Sequence, residues 1–211
     1  MTYGIPYPGV YVIDVNGKVV SKYFEDDYKE RVSASDILAR QFGVSANAPR
    51  GQVEAKQLRI MTGSSNGIAR PGMRIALSLD IDLKPGMHVY APGVQGYIPI
   101  DWQLEQGGAA AKQHPLRYPA SEMLLLQAIG ETAPVYRNHI HLEREITFGQ
   151  EAALKPLVSA SGELTVKGSL RYQACDDRKC YVPEEVPLEW RFKYEGLDRQ
   201  RAPAELQHKS N

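Results

Sequence analysis

Cys175 and Cys180 are the only cysteines in this 211-residue chain, and four residues separate them. Sulfur at that spacing can close a disulfide, cycle as a redox couple, or supply half of a metal site. A plain staple is the simplest reading. Closing so short a loop constrains the unfolded chain by only about 2 kcal/mol on the chain-entropy model. A domain with an ample core gains little from that, which favours a redox-active pair. Exchange needs a thiolate that reaches one of the two sulfurs. The charges of Asp176, Asp177, Arg178 and Lys179 between the cysteines cancel, so the sequence alone does not say whether a thiolate is favoured.

His139 and His141 offer a rival chemistry. At i, i+2 on a strand they share a face, and with two thiolates they would make a Cys2His2 zinc set. Their alternation with Ile140 and Leu142 puts them on a solvated face instead. The expectation is therefore no metal site, and nothing in the sequence calls for a cofactor.

The elements that must hold the pair read as β. Met73, Ile75, Leu77, Leu79, Ile81 and Leu83 alternate over 73–83. So do Ile140, Leu142, Ile146 and Phe148, with Arg144 the exception. Leu164, Val166, Leu170 and Tyr172, then Val186, Leu188, Trp190, Phe192 and Tyr194, repeat the pattern. Strict period-2 alternation gives one buried and one wet face, and several such strands between Gly and Pro turns predict an antiparallel sandwich. The pair falls between two of these strands, at a turn where a group is both held and reachable. Residues 120–131 fit a short helix or a buried strand, and strand is the preferred reading.

Residues 1–43 read differently. Two β runs, 10–15 and 18–23, flank Asn16-Gly17, a hairpin signal because both central turn positions favour positive φ. A helix follows, capped by Ser33 with Asp36 near its positive end and stopped at Gly43. Ile37, Leu38 and Phe42 give it an apolar face. Residues 44–52 read as a linker, 53–198 as the sandwich and 199–211 as a polar tail. The charges balance at 25 basic and 25 acidic, so no positive field exists to attract nucleic acid. No run approaches a membrane-spanning helix. The N-terminus lacks a basic region followed by an apolar core, so no signal peptide is expected.

Two resemblances emerge from these segments. YQACDDRKCYVPEEVPLEW resembles the N-terminal domain of the thiol:disulfide interchange protein DsbD family, and DLKPGMHVYAPG and PVYRNHIHLEREITF resemble its turn-then-Tyr and Tyr-led strand segments. The resemblance spans residues 53 to about 195. It implies an immunoglobulin-like sandwich whose Cys175 and Cys180 cycle between dithiol and disulfide, relaying electrons between thioredoxin-fold partners. It implies attack on Cys180, and it matches His88 and Tyr90 to aromatic positions flanking the pair. It points to an extracytoplasmic compartment, as does the chemistry, since redox disulfides favour oxidising spaces. The family's cap loop, which shields the disulfide, has no recognisable counterpart in residues 105–135.

GIPYPGVYVIDVNGKVV (residues 4–20) resembles the closing half of a peroxiredoxin or redoxin thioredoxin fold, and that resemblance extends over residues 1 to about 42. Pro8 then matches its cis-proline. The catalytic cysteines of such a domain would lie upstream, so the resemblance implies a truncated remnant whose missing half is a candidate partner. The alternative to a relay is a non-enzymatic immunoglobulin-like binding module with a structural disulfide. The reduction potential of the pair separates the two.

Overall fold

The computed structural model describes residues 9–24, 31–42, 50–105, 107–126 and 130–197. In chain order they form β1 (Gly9–Ile13), β2 (Val19–Phe24), β3 (Arg31–Val32), α1 (Ala34–Phe42), β4 (Gly51–Glu54), β5 (Leu58–Ser64), β6 (Ile68–Ala69), β7 (Met73–Leu83) and β8 (His88–Tyr90). They continue with β9 (Asp101–Leu104), β10 (Ala111–Arg117), β11 (Glu122–Leu126), β12 (Glu131–Arg137), β13 (His139–Phe148), the short α2 (Glu151–Leu154), β14 (Glu163–Tyr172), β15 (Ala174–Cys175) and β16 (Glu184–Tyr194).

Two sheets make the sandwich. One runs β10-β13-β7-β5-β4, with β3 joining β7 in parallel, and the other runs β6-β16-β14-β9. The alternating residues read from the sequence are the ones that meet between them. Ile75, Leu77, Leu79, Ile81, Ile140, Leu142 and Ile146 are fully buried in one cluster with Leu164, Val166, Leu170, Val186 and Trp190. Phe148 of β13 meets Phe192 of β16 edge-on at 5.5 Å between ring centres. Gly168 interrupts the apolar face of β14 because a Cβ there would collide with the Gln103 carbonyl of neighbouring β9. The fold is the antiparallel β-sandwich that the alternation predicts, of the immunoglobulin-like kind that the family resemblance implies.

Arg144 breaks the alternation of β13 for a visible reason. Its guanidinium lies over the Trp102 ring, 5.7 Å from the centroid, and donates to Gln113 Oε1 at 2.8 Å. Burial lowers its pKa, and the aromatic face supplies part of the solvation it gives up.

The third sheet, β11-β12-β8-β15, carries the chemistry. It has two unlike faces. Val89, Tyr136 and Ala174 turn into the sandwich core. Tyr90, Val135, Ala133 and Cys175 turn the other way and form a second, small cluster. The stretch 120–131, for which strand is the preferred reading, contains the strand β11.

At the N-terminal end, β1 and β2 form the expected antiparallel hairpin, but its turn differs from expectation. Only Gly17 takes a positive φ, at 80°. Asp14 accounts for this: its Oδ1 accepts from the Asn16 and Lys18 amides, both at 2.9 Å, and holds a longer turn than the two-residue type. The helix α1 starts after Ser33 as predicted, but its apolar face is only partly covered. Ile37 is buried, whereas Leu38 and Phe42 are exposed. Gly43 and Pro8 lie outside the described residues.

Replacing Leu170, fully buried between the sheets, by alanine is expected to cost about 2–5 kcal/mol through lost transfer energy and the cavity left behind. Chemical denaturation of the oxidised protein measures it.

Candidate functional site: a half-buried disulfide

The strand β14 ends at Tyr172, and the chain crosses to the third sheet through Gln173, whose Nε2 donates to the Tyr181 carbonyl at 3.1 Å. β15 then pairs with β8, setting Cys175 opposite His88 and Ala174 opposite Val89. The chain reverses tightly over 176–179, where the Asp176 amide donates to the Lys179 carbonyl at 2.9 Å. Asp176 holds this turn from within. Its Oδ1 accepts from the Arg178 and Lys179 amides at 2.8 Å, and its Oδ2 accepts from the Tyr181 hydroxyl at 2.9 Å. Those backbone donors, and then Tyr181, hold its carboxyl below the ordinary aspartate range. The turn returns Cys180 opposite Cys175, and the two sulfurs are bonded.

The two sulfur-bearing residues differ sharply in environment. Cys175 is 1% exposed, whereas Cys180 is exposed at the turn's end. The Tyr90 hydroxyl lies 3.7 Å from each sulfur. Neither sulfur of a disulfide carries a proton, so the phenol is the donor. Burial, and then Tyr97, raise the Tyr90 pKa to about 12, which keeps it protonated at neutral pH. Tyr97 stacks on Tyr90 at 4.2 Å, and His88 meets it edge-on at 5.6 Å.

A cleft of about 470 Å³ opens over the pair. His88, Tyr90 and Tyr97 form one wall, Leu124, Leu125 and Leu126 of β11 another, and Arg137 with the 176–179 turn complete it. Of the residues singled out from the sequence, Cys175, Cys180, His88 and Tyr90 therefore come together. His139 and His141 do not line the cleft. They bond to Asp82 at 2.9 Å and to Asp80 at 2.7 Å on the solvent face of β7 and β13. Among the described residues no group of three or more His, Cys, Asp or Glu could hold a metal ion.

Sequence reasoning missed Tyr97, the β11 wall and Arg137. The β11–β12 hairpin lies in the region where no shielding segment could be recognised, and it lines the cleft beside the disulfide. The available signal was the apolar run MLLL, whose burial pattern was ambiguous without a partner strand.

The sandwich thus carries a disulfide on the outward face of its third sheet, Cys175 buried and Cys180 exposed. The family model described as thiol:disulfide interchange protein DsbD, N-terminal, matches residues 63–188, and the chain belongs to that family. Among solved structures, the N-terminal periplasmic domain of ScsB from Proteus mirabilis is similar at 14% identity and a TM-score of 0.46, over 70% of this chain and 52% of that one. The chain thus spans about half the length of that domain. The reduced N-terminal domain of DsbD from Neisseria meningitidis is similar at 17% identity and a TM-score of 0.33, over 54% of this chain and 74% of that one. No curated protein matches. No described helix is long and apolar enough to cross a membrane.

The Asp176 carboxyl is expected to titrate below 3.8 in the folded protein. Its stabilising effect is then complete above that unfolded value and is lost as pH falls through the lowered folded pKa. Carboxyl-detected NMR titration checks this, and Tyr181→Phe should move the Asp176 midpoint upward.

Proposed function

We propose that this domain relays electrons by thiol–disulfide exchange with thioredoxin-fold proteins, with Cys180 the sulfur that a partner attacks. The observation that carries the reading is the asymmetry of the pair, one residue buried and the other exposed. A partner thiolate bonds to Cys180 Sγ, the Cys175–Cys180 bond breaks, and the electron pair stays on Cys175 as the leaving thiolate. The Tyr90 hydroxyl, 3.7 Å away and held protonated, can donate to that charge as it develops. A second thiolate then attacks the partner's sulfur, the Cys180–partner bond breaks with Cys180 leaving as thiolate, and both cysteines end reduced.

The surface around Cys180 suits a protein partner. Leu125 in the cleft wall is 55% exposed, and Val182, two residues beyond the sulfur, is 86% exposed. Such apolar side chains beside a reactive sulfur gain by being covered in a docked complex.

By resemblance, residues 1–43 are read as the closing part of a redoxin fold, with 44–52 as linker, 53–198 as the exchange domain and 199–211 as a tail, although β3 (Arg31–Val32) and the start of β4 at Gly51 already pair into the sandwich sheet. A redoxin half in the same chain would be a favoured partner, because tethering raises its effective concentration. Pro8 would be that fold's cis-proline. An extracytoplasmic location suits a pair that must be re-oxidised in each cycle.

Mixing a reduced thioredoxin-fold protein that lacks its resolving cysteine with the oxidised domain should trap a mixed disulfide, which peptide mapping places on Cys180. Cys180→Ser should abolish exchange, while Cys175→Ser should retain a reactive thiol. A Cys180→Ser variant exchanging at the parent rate would contradict the assignment.

A further inference from the structure

His88 is a buried imidazole beside the disulfide to which the relay assigns no task. It is 3% exposed, and its Nε2 has no hydrogen-bond partner among the described residues. Pairing across the third sheet sets Cys175, His88 and Arg137 in one row, on β15, β8 and β12. Directly paired residues of antiparallel strands share a face with Cβ atoms roughly 4.5–5.5 Å apart. All three residues line the cleft.

The buried sulfur needs a proton partner. In the reduced pair Cys175 is out of contact with bulk water, and a buried thiol resists ionisation. It must ionise to attack a mixed disulfide held on Cys180. The other groups around it are poor bases. Tyr90 stays protonated up to about 12, the Asp176 carboxylate is committed to its turn, Asp177 is an exposed carboxylate of that turn, a group ordinarily a far weaker base than an imidazole, and Arg137, Arg178 and Lys179 are cations. An imidazole with a vacant ring nitrogen is the group suited to accept a proton near neutral pH.

We propose that His88 is the proton acceptor for Cys175: in the closing step the Cys175 thiol gives its proton to the His88 imidazole and the resulting thiolate attacks Cys180 Sγ. The Cys175–Cys180 bond forms, the Cys180–partner bond breaks, and the partner leaves as its thiolate. His88 then loses the proton to water in the cleft. In the opening step the proton travels the other way, from water through His88 to the Cys175 thiolate. The inference rests on the relay reading, since it needs Cys180 to carry the mixed disulfide.

The charges facing His88 are compatible with this. Burial, and then the Arg137 guanidinium on β12, hold the imidazole below its ordinary 6.5, while Asp177 and Asp176 in the turn pull the other way. Leu124, Leu125 and Leu126 contribute no charge to that wall. The resting imidazole is therefore neutral at neutral pH and ready to accept.

The test is stopped-flow reaction of the fully reduced chain with the aromatic disulfide 5,5′-dithiobis(2-nitrobenzoate). Cys180 releases one aromatic thiolate in a first phase, and Cys175 releases the second as it closes the disulfide. In the parent protein the second phase should be nearly flat from neutral pH upward and fall only once pH drops through the lowered His88 pKa, as the imidazole becomes protonated. In His88→Asn and His88→Gln it should slow on the order of 100-fold relative to the first phase and climb about tenfold per pH unit, as for an unassisted thiol. A parent second phase that already climbs in that way would overturn the proposal without recourse to any variant. So would variants that both keep the parent profile. A first phase that persists at the parent rate in Cys180→Ser and is lost in Cys175→Ser would overturn the relay reading itself.

Discussion

One pairing organises the site: β15 laid against β8, with Cys175 opposite His88. It buries one sulfur beneath Tyr90 and leaves the turn that follows no room to bury the other. Were Cys175 free at an open loop, both sulfurs would meet solvent alike and a partner would have no reason to choose. The chain after Cys175 must instead turn back over 176–179. The Asp176 side chain fixes that reversal by accepting two backbone amides, so Cys180 is held at the rim in a defined place. The difference in exposure between two chemically identical atoms thus comes from backbone hydrogen bonding.

β8 is the junction between stability and chemistry. Its three residues alternate, so Val89 packs into the sandwich core while His88 and Tyr90 face the cleft. The large core behind Val89 fixes the strand, and the strand in turn fixes the aromatic groups against the sulfurs. A reactive disulfide can then sit on a rigid sheet, although the turn itself is exposed. Preorganisation of this kind is what exchange requires, since the approach of a thiolate to one sulfur must be open and directed.

Much of this was legible in the sequence, for physical reasons that can be named. The sandwich strands announced themselves because each buries a single face, and Met73 through Leu83 show it most clearly. The cysteines were legible by type and spacing, and His88 and Tyr90 by resemblance, although their i, i+2 spacing in HVY already puts them on one face of a strand. The walls of the cleft were not legible. Leu124–Leu126 and Arg137 reach the disulfide only through the β8–β12 pairing, and no local pattern encodes which strands become neighbours. Asn16-Gly17 misled in detail because the Asp14 carboxylate outcompeted the intrinsic preference of the dipeptide for a two-residue turn. Arg144 looked like an error in its strand because the aromatic face that receives it, Trp102, lies about forty residues away in sequence.

The claim at the centre is that the Cys175–Cys180 bond is made to be exchanged. Equilibrating the folded domain against graded dithiol buffers and reading the oxidised fraction gives its reduction potential. A value less negative than about −300 mV, in the range of exchange proteins, is what this account predicts; a value well below that marks a bond too stable to turn over and would contradict it.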